Sequence, residues 1–431
     1  MIEGPVGRVL ARTTAPLAAA LFVMFGLQLA EAWLIGQLGA TALAALGFVL
    51  PVVMTAMSFG IGLGAGASAV VARAIGAGGR DEAANLSRHV LILSAALALL
   101  VAVPGWLGAP WLLDMLGAEG EARALALAYL RLWLPGLVPL LMGMAALSLL
   151  RAAGDTGFQG LALAGAGALT FALDWPLGLY WLGFPGFALA ASLGWCVMLV
   201  AALWRLRRLG LLGAAGAGGF LPAARRVMRI GVPAAAANAI IPLATGIYTA
   251  MLAAQGPAAV AGFALGSRTE ALAMTAFFAL SAIANPFAAQ NAGAGRMDRV
   301  AEGVRLSLIF CVAFGLVTAV PLWFAAPWIG AQFTSDAAVA ASAVLYLRII
   351  PWGFGAVGVI AVVSASLNGL ERPLAAVAVS LTRTFVIGVP LAWSGGMLAG
   401  EVGLLAGILA ASLIVGGGAA AYLWRVVRAG G

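Results

Sequence analysis

The chain alternates long apolar runs with short segments that carry most of its charged residues. Most of these runs are long enough to span a bilayer, because roughly 20 apolar residues in an α-helix cross the hydrocarbon core. The pattern predicts twelve membrane-spanning helices, over residues 15–38, 45–73, 89–109, 124–151, 159–182, 184–204, 231–253, 258–288, 303–325, 337–367, 374–397 and 402–424. The expected fold class is therefore an all-α integral membrane protein.

The same pattern occurs twice, at a fixed offset of 217 residues. The matched landmarks are Pro16 with Pro233, Gly39 with Gly256, Gly76-Ala77-Gly78 and Asp81 with Gly293-Ala294-Gly295 and Asp298, Tyr129-Leu130-Arg131 with Tyr346-Leu347-Arg348, and Gly183 and Gly186 with Gly400 and Gly403. Six passes return the chain to its starting side, so both halves share one orientation and form a parallel, pseudo-symmetric repeat. Two similar membrane halves are a common construction of secondary transporters.

The repeat predicts an organisation into two lobes. We expect an N-terminal six-helix lobe over residues 1–204 and a C-terminal six-helix lobe over residues 231–431. The intervening segment, 205–230, is rich in Arg, Gly and Ala and is expected to be a cytoplasmic linker.

The composition agrees with a membrane protein and sets its orientation. Hydrophobic residues make up 64% of the chain and charged residues 9%, against about 25% charged residues in a soluble domain. All 23 basic residues are Arg, and nearly all fall in loops on one side, which is the cytoplasmic side by the positive-inside rule. We therefore expect both termini in the cytoplasm of a bacterium, a location in its inner membrane, and no nucleic-acid partner despite the net charge of +8.

Metal and hydrolytic chemistry have little support in the sequence. Cys196 and Cys311 lie in apolar runs without CxxC spacing, and His89 is the single histidine. A structural zinc site or a Ser/His catalytic arrangement needs more such residues than this. We expect no cofactor and no enzymatic activity.

Three acids lie inside the predicted spans: Glu31, Asp174 and Glu270. A charge at the bilayer centre costs at least ~2.5–3.5 kcal/mol, so each acid is a candidate functional residue. Glu31 and Asp174 each lie about seven residues, or roughly 10 Å, before the outer end of their helices. Two acids at one depth can share a proton or bind Na⁺, and Thr170 lies one turn before Asp174 on the same face. The alternative is a pair of satisfied buried carboxyls that stabilise helix packing.

Other polar residues are candidates for substrate binding. Met24 and Gln28 share a helix face with Glu31, because their spacing follows i, i+4 and i+7. In the second half, Arg268, Glu270 and Arg383 lie near the middle of their helices; these three residues either contact substrate or form a structural group in which Arg383 pairs with Glu270.

Four sequence stretches resemble the multidrug and toxic compound extrusion (MATE) transporters. The first helix resembles that family's proline, acid and G-x-L-G-x-x-A-L-A-A series, and the other three stretches follow helices 4, 8 and 10. In order, they read Pro16, Glu31, Gly36-Gln37-Leu38-Gly39 and Ala42-Leu43-Ala44-Ala45; Arg151-Ala152-Ala153-Gly154-Asp155-Thr156; Gln290-Asn291-Ala292-Gly293-Ala294-Gly295; and Leu367-Asn368-Gly369. The resemblance covers nearly the whole chain.

The resemblance implies two six-helix lobes around a central cavity and alternating access by a rocker-switch movement. It places the family's first-lobe coupling acids on Glu31 and Asp174, and its bending proline on Pro16. The chain departs from the family pattern where Thr170 stands for the usual Asn, which removes a Na⁺ ligand and favours H⁺. Ile241 replaces the acid of another subgroup, so the DinF-like branch is the closer match.

The expected function is a cation-coupled efflux antiporter, with H⁺ favoured over Na⁺. Its expected substrates are amphipathic, often cationic, drug-like small molecules, and it is expected to act as a monomer in the lipid bilayer. A lipid-linked oligosaccharide flippase of the same superfamily is the alternative, and an intramembrane enzyme is a third reading that the single His89 disfavours.

Overall fold

The computed structural model describes residues 1–212, 219–334 and 336–429. Part of the expected linker, residues 213–218, lies outside this range. Fifteen α-helices account for most of the described residues. They are α1 Val6–Gln37, α2 Ala40–Gly76, α3 Arg80–Met115, α4 Gly120–Trp133, α5 Leu137–Ala152, α6 Thr156–Leu173, α7 Phe184–Arg208, α8 Phe220–Ala253, α9 Pro257–Ala273, α10 Thr275–Gly293, α11 Met297–Phe333, α12 Ala337–Ile349, α13 Phe354–Gly369, α14 Pro373–Leu381 and α15 Val389–Ala429.

Three shorter helical segments interrupt this series. Asp174–Trp181 and Thr382–Gly388 are π-helical, and Ile350–Gly353 is a 3₁₀ turn between α12 and α13. Both π-helical segments fall in the fifth pass of their half of the chain. Single-turn π-helical segments are rare and are frequently found at functional sites.

Nine uninterrupted helical spans of the described residues are long and apolar enough to cross a membrane. The pairs α4/α5 and α9/α10 are bent by 52° and 50° and raise the number to eleven. The 57-residue span Pro373–Ala429 contains non-helical backbone at Ala399 and Gly400 and therefore divides into two passes. Counted in this way the described residues form the twelve predicted passes.

Several predicted helix bounds were wrong in detail. The first helix begins at Val6, well before residue 15, and the third extends from Arg80 to Met115. The fourth and eighth passes are not continuous helices. Pro135 and Gly136 follow α4 and account for its bend, but the break at Met274 contains neither proline nor glycine, so the sequence gives no signal for it.

The glycines that revealed the repeat lie at turns that favour glycine. Gly183 and Gly400, which connect the fifth and sixth passes of each half, have φ of 65° and 58°. A side chain is disfavoured at such angles. The repeat in sequence is therefore a repeat in backbone conformation at these positions.

The chain forms two compact units. The first unit is Ala15–Ala235, and the second unit is Met1–Thr14 together with Ala236–Gly431. These bounds differ from the lobes expected at 1–204 and 231–431, because the start of α1 groups with the second unit and the start of α8 with the first.

Each unit has its own apolar core. In the first unit, Trp133, Phe184 and Phe187 are among the largest fully buried side chains; in the second, Phe277 and Phe354 have this role. Large core side chains of this kind contribute most of the packing energy.

Matched cation–π contacts add to the similarity of the two units. Arg131 lies over Trp106 at 5.8 Å, and Arg348 lies over Trp323 at 5.2 Å. The same offset of 217 residues relates both the arginines and the tryptophans. The repeat therefore extends to side-chain contacts.

Candidate functional site

Asp174 is fully buried at the point where α6 becomes π-helical. Its backbone N–H donates to the Thr170 carbonyl in the ordinary helical pattern. Neither carboxyl oxygen has a hydrogen-bond partner among the described residues. Buried polar groups are nearly always hydrogen-bonded, and an isolated buried carboxylate is costly. The site is therefore suited to a neutral, protonated acid or to a bound cation.

Glu31 and Tyr129 belong to the same polar site. Glu31 is partly buried on α1, and its carboxyl lies within electrostatic range of Asp174. The buried Tyr129 on α4 lies within range of both acids, and its ring stacks on Phe184 at 4.9 Å. Sequence reasoning did not select Tyr129 as a site residue, although the repeated Tyr-Leu-Arg landmark had marked its position.

Thr170 does not bind the Asp174 carboxyl, although the sequence predicted that the two residues form one site. The hydroxyl of Thr170 packs against Gly194 of α7, and among the described residues it makes no hydrogen bond to Asp174. The described residues also contain no group of three His, Cys, Asp or Glu side chains that could hold a metal ion.

The remaining candidates of the first half lie along α1. The sulfur of Met24 packs on Gly167 of α6, whereas Gln28 is exposed. Pro16 lies inside α1, which continues through it, and its carbonyl closely approaches Gly160 of α6. A missing backbone donor within a continuous helix is a weak point at which a helix bends.

The second unit contains a different polar cluster. The hydroxyl of Tyr346 on α12 donates a hydrogen bond to Glu270 on α9. The Tyr346 ring is buried and packs edge-on against Phe263 at 5.4 Å. Glu270 therefore differs from Asp174, because its carboxyl has a partner from the protein.

Arg383 interacts with this cluster but forms no ion pair with Glu270 among the described residues. It lies in the π-helical segment Thr382–Gly388 and interacts electrostatically with Tyr248 and Glu270. No ion pair joins Arg383 to Glu270 within the described residues. Arg268 is exposed and makes no hydrogen bond or ion pair in the part of the chain that the structure describes.

The charged residues of the two clusters are not matched by the repeat. The repeat partner of Glu31 is Tyr248, and that of Arg383 is Ala166. Glu31 therefore has no acidic counterpart in the second unit, and Arg383 has no charged counterpart in the first.

Comparisons with known proteins show which family the chain belongs to. The MatE family model matches residues 16–175 and 233–394, which correspond to the two halves of the repeat. The chain is 31% identical over 425 residues to a FAD transporter of Shewanella oneidensis, with 96% of this chain and 94% of that protein covered. It is 29% identical to a probable multidrug resistance protein NorM of Deinococcus radiodurans, with 92% and 89% covered.

Solved structures give the same result. The crystal structure of the Vibrio cholerae MATE transporter VcmN in the bent form superposes with a TM-score of 0.94 at 28% identity, covering 99% of this chain and 98% of that one. The protein is thus a multi-pass membrane transporter with a two-lobed, twelve-helix fold. It belongs to the MatE family.

Membership confirms four of the expectations raised by the sequence. These are the MATE resemblance, the all-α fold with two repeats, a transport function on small molecules, and the assignment as a transporter rather than an enzyme.

Proposed function

We propose that the protein exports small organic molecules in exchange for protons, and that Asp174 and Glu31 bind the protons. The observation that carries the proposal is the fully buried Asp174 carboxyl, both of whose oxygens lack a hydrogen-bond partner among the described residues. Burial disfavours the ionised form of a carboxyl relative to the neutral acid. Glu31 lies near Asp174, and two carboxylates placed close together repel each other.

The hydrogen bond that Glu270 accepts supports Asp174, rather than Glu270, as the proton-binding acid. Tyr346 already donates a hydrogen bond to Glu270, which stabilises a carboxylate. Of these two acids, Asp174 is the one without a hydrogen-bond partner among the described residues, so a bound ion would set its charge state.

A proton fits the Asp174 site better than Na⁺ does. Hard metal cations are held by several oxygen ligands together. The Thr170 hydroxyl packs on Gly194 instead of joining the Asp174 oxygens. A proton needs only one of those oxygens.

Transport requires that protons and substrate prefer different states. A ligand shifts a conformational equilibrium only by its differential affinity for the two states, and such couplings are typically about 1–3 kcal/mol. Protonation removes the repulsion between Glu31 and Asp174, so it favours a state in which the two acids are close. In the proposed cycle this change bends α1 near Pro16 and releases substrate outward across a bacterial inner membrane, with both termini in the cytoplasm.

Two substrate classes are supported by the relatives. Several are named as probable multidrug resistance proteins, which agrees with the amphipathic, often cationic, compounds expected from the sequence. The FAD transporter of Shewanella oneidensis is 31% identical over nearly the full length and adds FAD as a second candidate. The lipid-linked oligosaccharide flippase remains the alternative, and it predicts no export of either compound.

The test is export from proteoliposomes under an imposed pH gradient and, separately, an imposed Na⁺ gradient. Ethidium and FAD serve as substrates, and wild type is compared with Asp174→Asn and Glu31→Gln. We expect export under the pH gradient and its loss in both variants. Asp114→Asn is the matched control, because Asp114 is exposed and paired with Arg123, and this variant should keep wild-type export.

Three results would contradict the proposal. Export that survives both substitutions would move coupling away from the two acids. Export driven only by Na⁺ would replace the proton as the coupling ion. Absence of export of both compounds would favour the flippase.

A further inference from the structure

We propose that the second unit binds a phosphate or pyrophosphate group of the transported molecule, with the guanidinium of Arg383 as the main donor. This inference rests on the proposed export function and concerns the second of its two substrate classes, phosphorylated anions such as FAD. Phosphate binding and proton coupling can be tested separately, because flavin binding measures the first and ethidium export measures the second.

Arg383 lies too deep in its pass to be explained by an interfacial position. It follows Pro373, the first residue of α14, by ten residues, which is roughly 15 Å along the helix. The hydrocarbon core is about 30 Å thick. A charged side chain near the middle of a span is a functional candidate unless a partner neutralises it.

The guanidinium of Arg383 has no bonded partner among the described residues. It makes no hydrogen bond and no ion pair there. Arg383 and Glu270 interact electrostatically without an ion pair, and Glu270 already accepts the Tyr346 hydrogen bond. An anionic group of the substrate would supply the bonded partner that Arg383 lacks.

The donor set matches a phosphate. Arg presents a planar fork of N–H donors that fits phosphate oxygens in a bidentate manner. The hydroxyl of Tyr248 lies beside the α-carbon of Gly388, at the end of the π-helical segment that contains Arg383. Because Gly388 has no side chain, it leaves room for this hydroxyl. Tyr248 also interacts electrostatically with Arg383 and is therefore a candidate second donor.

The repeat shows that this arginine is not required by the architecture. The partner of Arg383 in the first half is Ala166, which lies in the regular helix α6. The same fold is therefore built once without the charge. The competing explanation is a structural role, in which Arg383 only offsets the charge of Glu270 through space.

Three flavins test the proposal, because they share one ring system and differ in phosphate. Riboflavin has no phosphate, FMN has one, and FAD has a pyrophosphate. We would measure the binding of each to the purified full chain by flavin fluorescence. Wild type should bind FAD and FMN at least about tenfold more tightly than riboflavin, as charge-assisted hydrogen bonds predict.

The decisive variant is Arg383→Gln. It should lower the affinity for FAD and FMN at least about tenfold and leave riboflavin binding unchanged, while Arg383→Lys should retain part of the phosphate preference. Arg348→Gln is the matched control in the same unit, because Arg348 lies over Trp323 and has no part in the cluster. A thermal melt of each variant verifies folding.

Equal affinities of wild type for the three flavins would overturn the inference, as would an equal loss of riboflavin and FAD binding in Arg383→Gln. Inorganic pyrophosphate should displace FAD. Displacement by phosphatidylglycerol but not by pyrophosphate would assign the site to a lipid head group and reject the substrate role. Ethidium export that depends on Asp174 would leave proton coupling intact in each of these cases.

Discussion

At the residue scale, the carboxyls of two intramembrane acids differ in their hydrogen bonds. Glu270 accepts a hydrogen bond from Tyr346, whereas neither oxygen of Asp174 has a partner among the described residues. Both acids lie in apolar helices, and their sequence contexts do not reveal this difference. The hydrogen bond to Glu270, more than its depth in the membrane, therefore distinguishes the two acids. Asp174 is suited to proton exchange, and Glu270 is suited to a fixed charge.

The tyrosines of the repeat provide a stability test. Tyr346→Phe should lower the free energy of unfolding by about 1–3 kcal/mol, because it removes the hydrogen-bond donor to the partly buried Glu270 carboxyl. Tyr129→Phe is the matched control at the repeat position, since the Tyr129 hydroxyl makes no hydrogen bond to the described residues. Thermal melts in detergent measure both. Equal losses in the two variants would show that ring packing, not the bond to Glu270, accounts for the effect.

Arg299 holds the first residues of the chain onto the second unit. It is only 7% exposed and donates to the carbonyls of Met1, Glu3 and Gly4 and to Oδ1 of Asn291. Arg299→Ala should therefore release residues 1–4 and cost about 2 kcal/mol or more. Amide hydrogen exchange of α1 and a thermal melt would measure the two effects.

The control for Arg299 is its neighbour Arg296. That side chain is exposed and makes a single bond, to the Ile2 carbonyl. Arg296→Ala should cost about 1 kcal/mol or less. If it destabilises the protein as much as Arg299→Ala does, the multiple bonds of Arg299 are not the cause.

At the element scale, irregular helices carry the charged residues. Asp174 begins one π-helical segment and Arg383 lies in the other. A π-helical turn widens the helix and alters the direction of the side chains that follow it. The two segments are not at equivalent repeat positions, so they are separate features of each half rather than a consequence of the shared fold.

Close contact between α2 and the start of α8 depends on glycine. A side chain at Gly66 would collide with the Val227 carbonyl and the backbone of Gly231. Gly66→Ala should lower stability by about 1–3 kcal/mol, because backbone cannot move aside without strain. Gly47→Ala, in the same helix but facing open space, should be neutral or up to about 1 kcal/mol more stable. Equal melting temperatures of the Gly66→Ala and Gly47→Ala variants would contradict this prediction and show that α2 and α8 separate readily.

At the scale of the whole molecule, the arginine distribution predicts which side each loop occupies. In a background of Cys196→Ser and Cys311→Ser, we would introduce Glu3→Cys, Arg425→Cys and Asp336→Cys singly. A membrane-impermeant maleimide applied to intact cells should label Asp336→Cys alone, and all three after permeabilisation. Labelling of Glu3→Cys or Arg425→Cys in intact cells would contradict cytoplasmic termini.

The sequence was sufficient for the number of passes and for the repeat. It predicted twelve passes because long apolar runs can be recognised from the order of polar and apolar residues along the chain. It did not predict the bend at Met274, which contains no proline or glycine, nor the start of α1 at Val6 beside Arg8 and Arg12. Bends without proline, and helix ends beyond the bilayer, depend on packing against neighbouring helices.

The candidate site was predicted in part. Glu31, Asp174 and Arg383 were selected because a charge in an apolar span is costly, and this cost is visible in the sequence. Tyr129 and Tyr248 were missed as site residues because a tyrosine in a span is ordinary. The placement of Thr170 against Gly194, away from the Asp174 oxygens, was also not predictable.

The sequence by itself determined the membrane class, the passes, the repeat and the acids, because each follows from the polarity of residues along the chain. The tertiary structure decided which carboxyl is bonded and which is not, and where the two compact units divide. It also decided that Arg383 stands near Glu270 without pairing to it. These properties depend on the distances between helices that are far apart in sequence, and no local pattern of polarity encodes those distances.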